Sequence, residues 1–293
     1  MELKKFFTEI KLDKFPFAEI EKNSVLAGIG SCFAEKFLTS LREVGMSVAI
    51  NPSGIIYNLH SMNEIIERVL TNKKFSADEV DCVNDRYILW SHHGSFGGES
   101  VNEVLSSANQ MLAEFREQLL QADYLILTPS SSVVYRHLKL DRIVGNCHKE
   151  NNNEFQVEVL SSTENCRLLR NILNTVFAFN PKCRVIVSLS PIRHYPGNLV
   201  LNSRSKANLL SGIHEALADF PSQAVYFPAY EIAHDELRDY RFYDKDMLHL
   251  SEVGESYILN KFIDWSVNDA CRKFITDSIK RQKLANHRPK FSK

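Results

Sequence analysis

Apolar positions along the chain alternate between short unbroken runs and longer stretches spaced for one face of a helix. Ser24 to Ile29 is a short apolar run ending at Gly30. It leads into Cys32 to Val44, where Phe33, Phe37, Leu38, Leu41 and Val44 repeat at helical intervals, so the pattern predicts strand, tight turn, helix. A second short strand, Ser47 to Ile50, ends at the turn cluster Asn51-Pro52-Ser53-Gly54. Helical patterns follow at His60 to Leu70 and Val101 to Gln121. Between them lies an irregular stretch holding Tyr87 to Trp90 and the loop His92 to Gly98, a candidate lid or insertion.

Asp123 to Thr128 is continuously apolar after its first residue, as expected of a strand covered on both faces. Val133 to Tyr135 and Arg142 to Val144 read as a small hairpin outside the main sheet. Ser161 with Glu164 forms a capping box before a helix striped by Leu168, Leu169, Ile172, Leu173 and Val176, which stops near Pro181. Arg184 to Leu189 is a fourth buried strand. A helix around Ala207 to Phe220 leads to a fifth, Ala224 to Phe227, and one last helix is expected from about Glu252 to Ile275. Strand and helix alternate, which predicts an α/β fold: a doubly wound, mainly parallel five-stranded sheet with helices on both faces, flavodoxin-like, with loop and hairpin insertions. No repeat or low-complexity linker divides the chain, so one domain is expected over residues 1–293, with its core at about 24–277 and a basic tail at 278–293.

Composition narrows the class. The 293 residues are 44% hydrophobic, enough for a substantial core. Lys and Arg total 35 against 36 Asp and Glu, a net charge of -1, so no global field favours nucleic acid or an anionic membrane. Charges interrupt every apolar segment, including the first 22 residues, which predicts neither signal peptide nor membrane span. The six cysteines are scattered without a Cys-x-x-Cys pair, which fits reduced thiols and a cytoplasmic location. The ten histidines show no metal-ligand spacing, and Gly28-Ile29-Gly30 lacks the third glycine of a dinucleotide fingerprint. No metal and no cofactor is implied.

In an open parallel sheet, ligands sit beyond the carboxyl ends of the strands, which directs attention to the loops there. After the first strand, Ser31 begins a helix. After the last, Asp246 and His249 stand three residues apart. A serine needs a base to become a nucleophile, and the base needs an acceptor on its other ring nitrogen; Ser31, His249 and Asp246 supply those parts. Alone the pattern is weak, since Ser after Gly is commonly a helix cap. Cys32, also beside the helix start, is the other candidate nucleophile. Ser31 is preferred because the two side chains leave the helix start in different directions and Cys32 opens the apolar stripe.

Gly30-Ser31-Cys32-Phe33-Ala34 resembles the signature of the GSCFA family, whose fold is similar to the SGNH (GDSL-like) esterases and acetylhydrolases. Further matching blocks are Asn51 to Asn58, Gly145 to Lys149, Ser190 to His194, Ser205 to Ala207, Tyr226 to Ile232, Glu236 to Tyr243 and Asp246 to Ser251. The resemblance implies Ser31 as nucleophile with Asp246 and His249 as acid and base. It also implies an oxyanion hole from the Ser31 and Gly54 amides. Pro129-Ser130-Ser131-Ser132 replaces the expected third block, leaving Asn146 as the substitute donor. His148, Arg193 and His194 are candidate substrate-binding residues, Lys206 is read as solvated, and Glu236, Arg238, Asp239 and Arg241 as a network holding the Asp246 to His249 loop, with Tyr240, Phe242 and Tyr243 beneath it. The expected activity is ester hydrolysis or O-acyl transfer on a small-molecule or saccharide ester through an acyl-serine. The rival is a non-catalytic ligand- or glycan-binding protein on the same scaffold.

Overall fold

The computed structural model describes residues 8–193 and 198–286. Its centre is a five-stranded parallel sheet made of β1 (Val25–Gly30), β2 (Ser47–Ile50), β5 (Tyr124–Thr128), β9 (Arg184–Val187) and β10 (Ala224–Tyr226), in the order β10-β9-β5-β1-β2. The order reverses at the β1–β5 neighbours, so the crevice for a ligand is expected at the end of β1.

Within the apolar runs, successive side chains serve opposite layers, as the two-residue period of a strand requires. Leu26, Tyr124, Ile126 and Ile186 join a core with α1 (Cys32–Glu43), α7 (Glu252–Ser266) and α8 (Asp269–Asn286). Ala27, Ile29, Leu125, Leu127, Val185 and Val187 join the other, with α2 (Leu59–Leu70), α3 (Val101–Gln121), α4 (Ser162–Phe179) and α5 (Leu199–Leu217). Helices therefore cover both faces, as the alternating pattern predicted. Gly30 is needed where α1 meets the sheet: a Cβ there would lie 2.7 Å from both Ala34 Cβ and Thr128 O. This close approach fixes Ser31 and Cys32 at the sheet's edge.

Several boundaries differ from expectation. The irregular stretch before α3 contains a hairpin, β3 (Val80–Val83) with β4 (Arg86–Leu89), turned by Asn84 and Asp85, both at positive φ. The predicted hairpin is a three-stranded antiparallel sheet of β6 (Val133–His137), β7 (Arg142–Val144) and β8 (Phe155–Val159). The helix expected at Ala207 starts at Leu199, capped by Asn198; its first turns bury Asn202, Ser205 and Lys206 and so show no apolar stripe. The last helix is two. Val267 turns extended to bridge Ile20, and the Asn268 side chain accepts from the Cys271 amide at 2.8 Å to start α8. The core also reaches beyond 24–277, since Phe15 and Ile20 are buried. Part of the expected tail is helical, because α8 runs to Asn286; residues 287–293 lie outside the described residues. No described helix is long and apolar enough to cross a membrane.

Candidate active site

The loop after the one-turn helix α6 (Ala229–Glu231) and the π-helical turn Ile232–Leu237 closes on itself before α7. Tyr243 bridges Leu250, the Asp244 amide donates to His249 O at 2.8 Å, and Met247 takes a left-handed backbone at φ 59°. This tight turn aims the Asp246 carboxylate back at its own loop. One oxygen accepts from the Leu248 and His249 amides at 2.9 and 3.0 Å, and the other faces His249 Nδ1 at 2.6 Å. The backbone donors of His249 and Leu248, then the imidazole, hold the Asp246 carboxyl down at about 2. An ionised carboxylate only accepts, so Nδ1 carries the hydrogen and Nε2 presents a lone pair.

That lone pair meets Cys32, whose Sγ lies 3.4 Å from His249 Nε2. The expected contact with Ser31 is absent: Ser31 is 0% exposed and its Oγ has no hydrogen-bond partner. The physical reason is the backbone. Ser31 is still extended (φ -69°, ψ 176°) and its amide donates to Thr128 O at 3.1 Å, so it continues the β1 ladder and its hydroxyl turns inward. Cys32 is the first helical residue and turns its thiol to the mouth. Burial pushes the Cys32 thiol up, against the lowering pull of the Phe33 and Cys32 amides that face the sulfur. The resting thiol is therefore neutral and needs a base.

The expected oxyanion hole is not assembled. The Ser31 amide is used by Thr128, and the Gly54 amide donates to Asn51 O at 2.9 Å in a turn where Gly54 has φ 77°. Gly54 instead lines a cavity of about 350 Å³ with Glu35, Asn51, His93 and Phe96, whose lining includes neither Cys32 nor His249. Asn146 accepts the His148 amide through its side-chain oxygen at 2.8 Å, which leaves its Nδ2 donors unused by that bond. His148 is itself structural: buried against Trp90, it reaches Leu89 O at 3.1 Å through Nε2, and burial lowers it to about 4. His194 lies outside the described residues. Arg193 does reach the Asp246 to His249 loop, its amide donating to Leu248 O at 3.3 Å. A cavity of about 850 Å³ lies along the amino-terminal segment with Phe15 and Trp265, and its lining holds none of these residues.

Lys206 is not solvated but 2% exposed, its ammonium donating to Ser190 O at 2.6 Å and Ser130 Oγ at 3.3 Å. Desolvation lowers it to about 7. Ser205 beside it accepts from the Ser132 amide at 2.7 Å, which ties α5 to the Pro129 to Ser132 loop. Glu236 anchors Tyr257, Lys261 and the Ile10 amide rather than the Asp246 to His249 loop, Asp239 pairs with Arg241 locally, and Tyr240 is exposed. Sequence reasoning preferred Ser31 to Cys32 as the residue facing His249, read Lys206 as solvated and did not consider His234. The signal for the first was present: residue 32, not 31, is the first helical position after the strand.

The parallel sheet, with a carboxylate–imidazole pair aimed at a nucleophile-type side chain beyond the carboxyl end of β1, defines an α/β protein with a hydrolase-like constellation. The chain matches the GSCFA family model over residues 25–262, from β1 into α7, and it belongs to that family. No curated protein matched. Among solved structures, the chain is similar to a Streptococcus pneumonia protein provisionally described as a platelet activating factor, at 14% identity and TM-score 0.44, with 83% of each chain covered. It is also similar to an acetyl xylan esterase, Est2A, from the rumen bacterium Butyrivibrio proteoclasticus, at 9% identity and TM-score 0.39, covering 93% of this chain and 66% of that one.

Proposed function

We propose that the chain is an ester hydrolase or O-acyltransferase whose nucleophile is Cys32, with His249 as general base and Asp246 as its orienting carboxylate. The single observation that carries this reading is the Cys32 Sγ to His249 Nε2 contact of 3.4 Å, backed by Asp246 on Nδ1 at 2.6 Å. The arrangement has the parts of a nucleophile–base–orienter triad.

The thiol proton passes to His249 Nε2 as sulfur attacks the ester carbonyl, giving a tetrahedral intermediate. The first-turn amides of Cys32 and Phe33, at the positive end of α1, are the donors for its oxyanion. The C–O bond then breaks, and His249 returns the proton to the departing alcohol, leaving an acyl thioester on Cys32. Water, or a hydroxyl such as that of a sugar, gives its proton to His249, attacks the thioester and releases acid or new ester with the thiol restored. The substrate is a small acyl ester.

The test is turnover of a panel of short-chain aryl esters by the wild type and by the Cys32→Ala, His249→Ala and Ser31→Ala variants. Loss of about 10²-fold or more in kcat/KM is expected for the first two, and retention for Ser31→Ala. Loss confined to Ser31→Ala moves the nucleophile to Ser31. No turnover by the wild type returns the chain to the non-catalytic, ligand-binding reading.

A further inference from the structure

Beside the catalytic loop lies a second cavity, of about 210 Å³, whose lining includes Arg193, His234, Arg238, Asp239, Tyr243 and Met247. Met247 is one residue from Asp246, and the Arg193 backbone is bonded to Leu248. The cavity thus adjoins the turn that carries Asp246 and His249, although its lining includes neither His249 nor Cys32, and nothing in the acyl-transfer steps above uses it.

The way Arg193 is held fixes what it offers. The His234 Nε2 faces Pro191 O at 3.1 Å; a carbonyl only accepts, so Nε2 carries the hydrogen and Nδ1 is an acceptor. Nδ1 then receives the Tyr243 hydroxyl at 3.2 Å and Arg193 Nη2 at 3.4 Å. Burial first, then the Arg193 charge, keep His234 at about 4, so the imidazole stays neutral and does not repel the guanidinium. The Arg193 guanidinium also stacks 5.6 Å from the Tyr243 ring. Among the described residues, the groups that fix this posture are neutral. Among the described residues no carboxylate lies within ion-pair distance of Arg193, whereas Asp239, the acidic residue in the lining, accepts from the Arg241 amide at 2.9 Å and from its guanidinium at 3.0 Å. Arg238 adds a second positive charge at the rim, which a left-handed backbone at φ 42° turns out of the helix.

A planar, pre-positioned guanidinium with unspent donors, at the wall of a cavity the size of a few heavy atoms, is a fork for a carboxylate or phosphate. We propose that Arg193, positioned by His234 and Tyr243, binds an anionic group carried by the ester substrate. The inference rests on the acyl-transfer reading and names the substrate class for it: an ester that also carries a carboxylate or phosphate. His234 acts only through Arg193 and is a positioning residue.

Two measurements separate this inference from the reading beneath it. Turnover compares mono-4-nitrophenyl succinate with 4-nitrophenyl butyrate, which places the charge on the acyl side, and 4-acetoxybenzoate with phenyl acetate, which places it on the alcohol side. In one arm the wild type is expected to prefer the anionic ester at least about 10-fold in kcat/KM, with Arg193→Met abolishing that preference and Arg193→Lys restoring part of it. Binding by titration calorimetry, with succinamate against butyramide and with inorganic phosphate, needs no chemistry and so stands even if no ester turns over. The wild type is expected to bind an anionic probe at least about 10-fold more tightly than butyramide, in a salt-dependent way, and Arg193→Met to lose that difference while keeping the wild-type melting temperature. Equal handling of charged and neutral probes by the wild type in every arm overturns the inference, as does a preference that survives in Arg193→Met.

Discussion

His249 Nε2 lies 3.4 Å from the sulfur of Cys32, while the hydroxyl of the adjoining Ser31 is sealed from solvent and from every donor and acceptor. Neighbouring residues at one strand-to-helix junction thus point to opposite environments. The junction itself explains why: residue 31 obeys the alternation of β1 and residue 32 the geometry of α1.

Ser31→Ala tests the inward placement. A buried hydroxyl with no partner stabilises nothing, and removing it discards a desolvation cost. Chemical denaturation of Ser31→Ala is expected to give an unchanged or higher stability, by up to about 1 kcal/mol. A loss of about 2 kcal/mol or more would show that the hydroxyl is bonded in the folded protein.

Asp246→Asn should reduce ester turnover by about 10²-fold or more, because the amide no longer demands the Nδ1–H tautomer. Its linkage has a definite sign. The folded carboxyl is depressed to about 2, against an ordinary value near 3.8, so its contribution to stability is complete above pH 3.8 and fades as pH falls toward 2. Melting curves of wild type and Asp246→Asn should differ above about pH 4 and converge as pH falls from there toward 2.

Lys206 acts with the same sign at higher pH. Its buried ammonium is lowered to about 7 from 10.5, so between those pH values the unfolded chain binds the extra proton and stability rises with pH. Denaturation at pH 7 and pH 9 is expected to show the wild type gaining stability, with a limiting slope of about 1.4 kcal/mol per pH unit, relative to Lys206→Met. A flat difference between the two would show that the amine is not desolvated as the structure places it.

The legible parts of this chain are those where one physical signal dominates. The β2 limits Ser47–Ile50 and the α3 limits Val101–Gln121 match the apolar pattern because nothing competes with it there. The β3–β4 hairpin was hidden because Val80–Val83 has only partly buried and exposed positions, although the Asn84-Asp85 pair was a two-residue turn signal. The break at Val267 depends on Ile20, a partner about 250 residues away, which no local window contains. Within the site, Asp246 and His249 were legible because their contact spans three residues. Which of Ser31 and Cys32 faces His249 was not, because it turns on where extended backbone ends and helix begins, a boundary that shifts every side-chain direction by one residue.

The most direct measurement is acid-quenched peptide mapping of the acyl-enzyme after reaction with a slowly turned-over aryl ester. The acyl group is expected on Cys32, as a thioester released by neutral hydroxylamine and absent from Cys32→Ala. An acyl group recovered on Ser31, stable to that treatment and still formed in Cys32→Ala, would contradict the assignment.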